Sequence, residues 1–252
     1  FERGNTVSEK NARWRKLDNA AKLYSAASNK KDTRVFRFYC ELKEEVNPKA
    51  LQEALNQTIE TFPTFLMVLR KGFFWHYLEP CNLRPIVKEE YKEPCSRLYI
   101  RDKKTLLFEV TYYKKRINFE VFHVLTDGTG ATEFLKELVK NYLYLVHKEE
   151  GLEQITLLPE DMTVQDQEDD SFLKYYSKNQ KRPKKRKLNA FQIRRKKKDG
   201  NHLHVHESVV SVQAVLKRSR ELGVSMTIFL TALFMMAINE EMSKMQKKKP
   251  VV

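Results

Sequence analysis

At 252 residues, with 41% apolar side chains and 11% aromatics, the chain can bury a substantial core, which excludes a disordered tail or a disulfide-stapled miniprotein. Cys40, Cys81 and Cys95 are odd in number and widely spaced, so neither a disulfide framework nor a zinc ribbon is expected, and a reducing cytosol suits them. The formal net charge of +14 is uneven: residues 181–198 carry most of the basic excess with no acid among them, and the acidic run 166–170 precedes them.

Residues 34–42 alternate, with Phe36, Phe38, Cys40 and Leu42 on one side, and predict a half-buried strand. Asn47-Pro48 opens a helix: Asn caps, and Pro suits the first turn. Ala50, Leu51, Ala54, Leu55, Thr58, Ile59 and Phe62 repeat at helical spacing until Pro63 stops them. Residues 65–78, broken at Lys71-Gly72, read as a hairpin. A second is expected from 105–113 and 116–125, turning at Tyr113-Lys114-Lys115.

A helix from about Ala131 to Val146 follows, with Phe134, Leu135, Leu138, Val139, Tyr142, Leu143 and Val146 on one stripe and Asp127 or Thr129 as its cap. Past the charged stretch, which reads as a solvated connector, residues 203–210 predict a strand. Residues 211–222 predict a helix closed by Gly223, and 226–245 a longer one. Within the latter, the apolar run 226–238 is too short to span a bilayer and reads as a buried helix, with Met235-Met236 in the core. No repeat is present, and the order of elements predicts an α/β layered fold.

Between the second hairpin and its helix stands His123-Val124-Leu125-Thr126-Asp127-Gly128. Alternation puts His123 on one face with Ile117, Phe119 and Val121, so its surroundings are expected to be apolar. Such surroundings favour a neutral imidazole, able to accept a proton as a general base. The same pattern also fits a buried structural histidine. Asp127 stands too near the helix start to orient His123, and is expected to cap the helix or pair with an Arg. Gly128 leaves room for a substrate beside the backbone.

This HxxxDG segment resembles the signature of the acyltransferases related to chloramphenicol acetyltransferase, which include plant BAHD enzymes, alcohol acetyltransferases and condensation domains. More narrowly, the chain resembles bacterial alcohol acetyltransferase-like proteins. The likeness extends to Trp14-Arg15-Lys16-Leu17-Asp18-Asn19-Ala20-Ala21-Lys22-Leu23-Tyr24, Phe62-Pro63 and Gly72-Phe73-Phe74-Trp75-His76-Tyr77.

The resemblance implies a chloramphenicol acetyltransferase-like α/β fold, with a mixed, largely antiparallel sheet, flanking helices, one full lobe and the start of a second. The implied lobes are 1–158, which carries HxxxDG, and 202–252, with 159–201 as connector. It implies transfer of an acyl group, such as acetyl, from acyl-CoA to a small alcohol or amine. His123 would be the base, Asp127 a structural acid and Gly128 a compact loop residue. Asp18 and Trp75 are candidates for substrate binding. Acyl-CoA would be a co-substrate, with no permanent cofactor and no metal.

Condensation domains carry two adjacent histidines, and Phe122 takes the first place here, which favours the single-histidine, CoA-using branches. A DFGWG-like segment and a Pro-x-Asn-x-Arg-like segment are absent from the chain. The ends, Phe1 and Val252, read as cuts, so the C-terminal lobe is an expected partner and this chain alone is expected to be inactive. A cytoplasmic protein without nucleic-acid partner or membrane span is expected. The alternatives are a non-catalytic scaffold that keeps the fold, or a basic nucleic-acid-binding module.

For the basic tract, contact with CoA phosphates, nucleic acid or anionic lipid stands beside the connector reading. His202, His204 and His206 alternate as a zinc pair would, but an exposed strand face explains them without a metal. Trp14 and the aromatics of 73–77 fit a core as well as an acceptor pocket.

Overall fold

The computed structural model describes residues 14–29, 32–73, 75–101, 103–148, 189–193 and 205–251. The acidic run, most of the basic tract, His202 and His204 lie outside them. The chain divides into two units, Phe1–Tyr176 and Ser177–Val252.

The first unit is an α/β arrangement with one antiparallel and one mixed, largely antiparallel sheet. In chain order it contains β1 (Arg15–Lys16), α1 (Asn19–Ala27), β2 (Val35–Glu41), α2 (Pro48–Thr61), β3 (Met67–Lys71), β4 (His76–Pro80), β5 (Lys88–Glu89), β6 (Phe108–Tyr113), β7 (Arg116–Phe122) and α3 (Gly128–Val146). A three-stranded sheet runs β1-β4-β3, and a four-stranded sheet runs β2-β7-β6-β5 with only β5 parallel to its neighbour. Both predicted hairpins form, β3–β4 and β6–β7, because each alternating pair is joined by a short turn.

Strand β7 lies between β2 and β6, in register from Val35↔Phe122 to Glu41↔Arg116 on one side and from Phe108↔Val121 to Tyr113↔Arg116 on the other. With neighbours on both edges and layers on both faces, all its residues after Arg116 are buried. Phe119 stacks on Phe134 of α3 at a centroid distance of 4.6 Å, and Phe65 and Phe108 complete the cluster. Helices α2 and α3 pack on each other, joined by Asn141 Nδ2 donating to Thr58 Oγ1 at 3.0 Å. The helical spacing of the α2 apolar residues is borne out: Leu51, Ala54, Leu55, Thr58, Ile59 and Phe62 are buried. On α3 the stripe turns Phe134, Leu138 and Tyr142 inward, while Val146 is exposed.

The second unit contains α4 (Val212–Glu221), ended by Gly223 at φ +66°, and α5 (Met226–Glu240). Three expectations are corrected here. Residues 205–210 form no strand; Val205, Val209 and Val210 are exposed, because alternation yields a strand only where a partner accepts its hydrogen bonds. Helix α5 ends at Glu240, not near 245. It buries none of its residues, and Met235 and Met236 are exposed, since its apolar surface runs all round and meets no covering layer among the described residues.

No single helix among the described residues is long and apolar enough to cross a membrane; α4 and α5 pass that test only as a pair bent by 87°.

Candidate functional site

The HxxxDG segment forms a strand–turn–helix junction. Strand β7 stops at Phe122, one residue before His123. The N–H of Leu125 then donates to the Phe122 carbonyl at 2.9 Å, closing a turn in which His123 is the first central residue. His123 is therefore a turn residue rather than the last of the strand. Its own N–H donates to the carbonyl of Arg34 at 2.9 Å, continuing the β2–β7 ladder one step further. Arg34 has φ 54°, a left-handed conformation that costs a non-glycine residue about 1–3 kcal/mol.

The ladder places Arg34, Phe36 and Phe38 on the same face as His123, Val121 and Phe119. The apolar setting expected for His123 is present and is aromatic. Tyr24 of α1 stacks on the imidazole with centroids 4.1 Å apart and planes 15° apart. Phe36 packs against it at 4.8 Å and 54°. Phe38 meets Phe36 edge-on at 5.6 Å, so an aromatic row runs from α1 towards α3. Nδ1 of His123 is buried and makes no hydrogen bond among the described residues.

Asp127 is the cap of α3: its Oδ1 accepts from the N–H of Gly130 at 2.9 Å. That settles the choice between Asp127 and Thr129 in favour of the former. Gly128 is the first helical residue, and a Cβ there would meet only the Phe38 ring at 4.0 Å, an ordinary contact. The tighter glycine is Gly130, where a Cβ would stand 2.2 Å from Thr126 Oγ1. The compactness expected at Gly128 thus arises two residues later.

Asp18 caps α1, accepting from the N–H of Ala21 at 2.6 Å. It starts the helix whose inner residues Ala21 and Tyr24 face the core, beside Leu17 just before the cap. Trp75 sits at the β3–β4 turn, is 60% exposed, and accepts the Gly72 N–H through its carbonyl at 2.7 Å. The structure thus gathers His123, Asp127 and Gly128 at one junction and lays α1 over His123, while Trp75 belongs to the other sheet. The sequence reading assigned no role to Tyr24 or Phe36. The i, i+3 spacing of Ala21 and Tyr24 marks the inner face of α1, but contact with His123 depends on tertiary packing.

The opposite face of β2 and β7 carries charge. Arg37 donates to Glu120 Oε1 at 2.8 Å and to Glu90 Oε1 at 2.5 Å, and the Cys95 N–H donates to Glu120 Oε1 at 2.7 Å. Burial works against the charged Arg37, but the hydrogen bonds and charges of Glu90 and Glu120 outweigh it and hold the guanidinium above its ordinary range. Burial pushes the Cys95 thiol up, and the Glu120 carboxylate adds to this while Arg37 opposes it. Burial likewise raises Cys40 and Cys81, so none of the three has the character of a reactive thiolate. All three are free. Among the described residues no group of three or more His, Cys, Asp or Glu side chains could hold a metal ion.

No protein family's model matches the chain, and no curated protein matches it. Solved structures do. The starter condensation domain of rhizomide synthetase RzmA is similar over 57% of this chain and 40% of its own, at 13% identity and a TM-score of 0.46. A variant of that domain in complex with C8-CoA is similar over 57% and 38%, at 14% identity and 0.46. Polyketide synthase associated protein 5 from Mycobacterium tuberculosis is similar over 57% and 36%, at 16% identity and 0.42. The chain spans about two-fifths of the length of these structures.

Proposed function

We propose that this protein is acyltransferase-like and moves an acyl group from acyl-CoA to a small alcohol or amine, with His123 as general base. One observation carries this: a partly exposed imidazole in an aromatic setting stands where a central strand turns into an Asp-capped helix. Nδ1 faces the interior, so Nε2 is the nitrogen that takes the proton as the acceptor attacks the thioester carbonyl. The bond formed is acceptor oxygen or nitrogen to acyl carbon, and the bond broken is carbon to sulfur, releasing CoA. A thioester is already activated, so neither a metal nor a covalent nucleophile enters the scheme. Asp127 shapes the loop, Gly128 leaves room for a substrate beside the backbone, and Asp18 and Trp75 contribute at most to the walls of a substrate channel. A second lobe supplies the facing wall, and acetyl is the first acyl group to try.

The test is acetyl-CoA binding by calorimetry together with CoA release on adding alcohols and amines, run on this chain and on the complete gene product. Binding and turnover by the complete product are expected, with His123→Ala lowering turnover by about two to four orders of magnitude while leaving the fold intact. A His123→Ala protein with the parent rate would refute the base. Folded protein that neither binds nor releases CoA would leave a non-catalytic scaffold.

A further inference from the structure

Between Lys71 and His76, the last pair of the β3–β4 register, the sequence places Gly72-Phe73-Phe74-Trp75. Gly, Asn, Asp and Pro dominate such turns, because they supply the backbone angles or hydrogen-bond the chain locally. Three successive aromatics do neither, so turn stability does not account for them. Phe73 is 96% exposed and Trp75 is largely exposed, so neither ring adds to the core. The turn nevertheless holds Trp75. The Gly72 N–H donates to its carbonyl at 2.7 Å, and a Cβ at Gly72 would stand 3.1 Å from that oxygen and 3.6 Å from the indole nitrogen. Cations flank this tip. Lys71, Arg101, Lys103 and Lys104 are exposed, with Asp102 the one acid of the 100–104 stretch, while Glu79 pairs with Arg70 at 3.2 Å. Burial, then Lys71 and Arg101, lower the His76 imidazole, which puts both cations beside the base of the turn.

From this we infer that the β3–β4 tip is a docking site for an anionic lipid surface, with Phe73 and Trp75 entering the headgroup layer and Lys71, Arg101, Lys103 and Lys104 supplying the attraction. Area, shape and charge select this occupant. Two aromatic rings offer on the order of 300–500 Å², short of the about 800 Å² that each partner gives to a stable protein interface. A turn is also convex, and a fluid headgroup layer closes around a convex tip where a folded partner would need a matching groove. Aromatic rings gain by leaving water for that layer, and an indole N–H still finds acceptors there. Apolar insertion and attraction to anionic headgroups reinforce each other, as in other interfacial anchors. The contact is peripheral: it needs no membrane-spanning helix, and it does not depend on His123 or on the acyl transfer proposed above.

The experiment mixes the full chain with vesicles of phosphatidylcholine alone and of phosphatidylcholine with phosphatidylglycerol, at low and high salt. A Trp14→Phe background leaves Trp75 as the sole tryptophan. Its emission and its quenching by brominated lipid then report on the tip itself, whatever the basic tract 181–198 or α5 does. Mixed vesicles are expected to shift Trp75 emission to the blue and to permit quenching, with weaker association on phosphatidylcholine alone and at high salt. Phe73→Ser should lower the partition coefficient about tenfold, and Lys71→Gln about three- to fivefold. Both positions are exposed, so thermal unfolding should stay that of the parent. Absence of association, or sedimentation with vesicles while Trp75 emission stays unmoved, would overturn the inference. So would parent-like partition of Phe73→Ser, or equal binding to neutral and mixed vesicles. A shift of Trp75 by polyglutamate but not by vesicles would make the tip a protein-docking site instead.

Discussion

Arg37 and His123 show how neighbouring positions on one ladder acquire opposite characters. Alternation along β2 sends Phe36 to the face that holds the imidazole and Arg37 to the face that holds Glu120. The Arg37 and Glu120 side chains are 11% and 3% exposed, so neither charge is paired by solvent. Removing one partner of such a pair strands the other and typically costs about 3–5 kcal/mol. Arg37→Met should therefore lower unfolding free energy by about that much in denaturant titration, and adding Glu120→Gln should recover part of it. A single variant within about 0.5 kcal/mol of the parent would show that the network contributes little. Because Cys95 hangs from the same carboxylate through its N–H, the loop it belongs to should loosen together with the pair.

The elements around the site are held by their ends as much as by their faces. Three helices of the first unit begin on side-chain caps, Asp18, Asn47 and Asp127, each accepting backbone N–H groups that would otherwise lack partners. For α3 the cap also fixes where the helix starts relative to the His123 turn. Asp127→Ala should cost about 0.5–2 kcal/mol, whereas Asp127→Asn, an equally good cap, should cost far less. Thermal unfolding of the two variants separates the cases. If both lose equally, the charge of Asp127 matters and not its geometry. The α2 boundaries were legible in the sequence for the same reason, since Asn47-Pro48 and Phe62-Pro63 are local signals, whereas α3 was expected from about Ala131 and starts three residues earlier, at Gly128. The end of β7 was placed too late, because His123 continues the alternation although the backbone has already turned.

At the scale of the molecule, the two units differ in how well they cover their apolar surface. The first contains a continuous core built from both its helical layer and its sheets. The second leaves Ile228, Leu230, Phe234 and Met236 of α5 exposed. Such a surface is an adhesion liability. Replacing Phe234 and Met236 by Lys should reduce dye binding and self-association of this chain, and change its unfolding free energy by less than about 0.5 kcal/mol, as expected at exposed positions. A large loss of stability would mean that these side chains are packed after all. In the proposed two-lobe enzyme, the same substitutions should disturb assembly of the second lobe.

The sequence by itself determined β2, α2 with its Asn47 cap, both hairpins, α3 and the junction that presents His123; it marked neither β1, α1 nor β5, and left Asp127 and Thr129 as alternatives for the α3 cap. Those features depend on neighbours within a few residues: periodicity, prolines, and capping side chains. Tertiary structure alone decided that Tyr24 and Phe36 lie on the imidazole, that Asp18 starts the helix bringing one of them there, and that Trp75 belongs to another sheet. It also decided that the apolar run of α5 is exposed. Burial and stacking are relations between surfaces far apart in the chain, and strand register and helix docking, not local composition, bring those surfaces together.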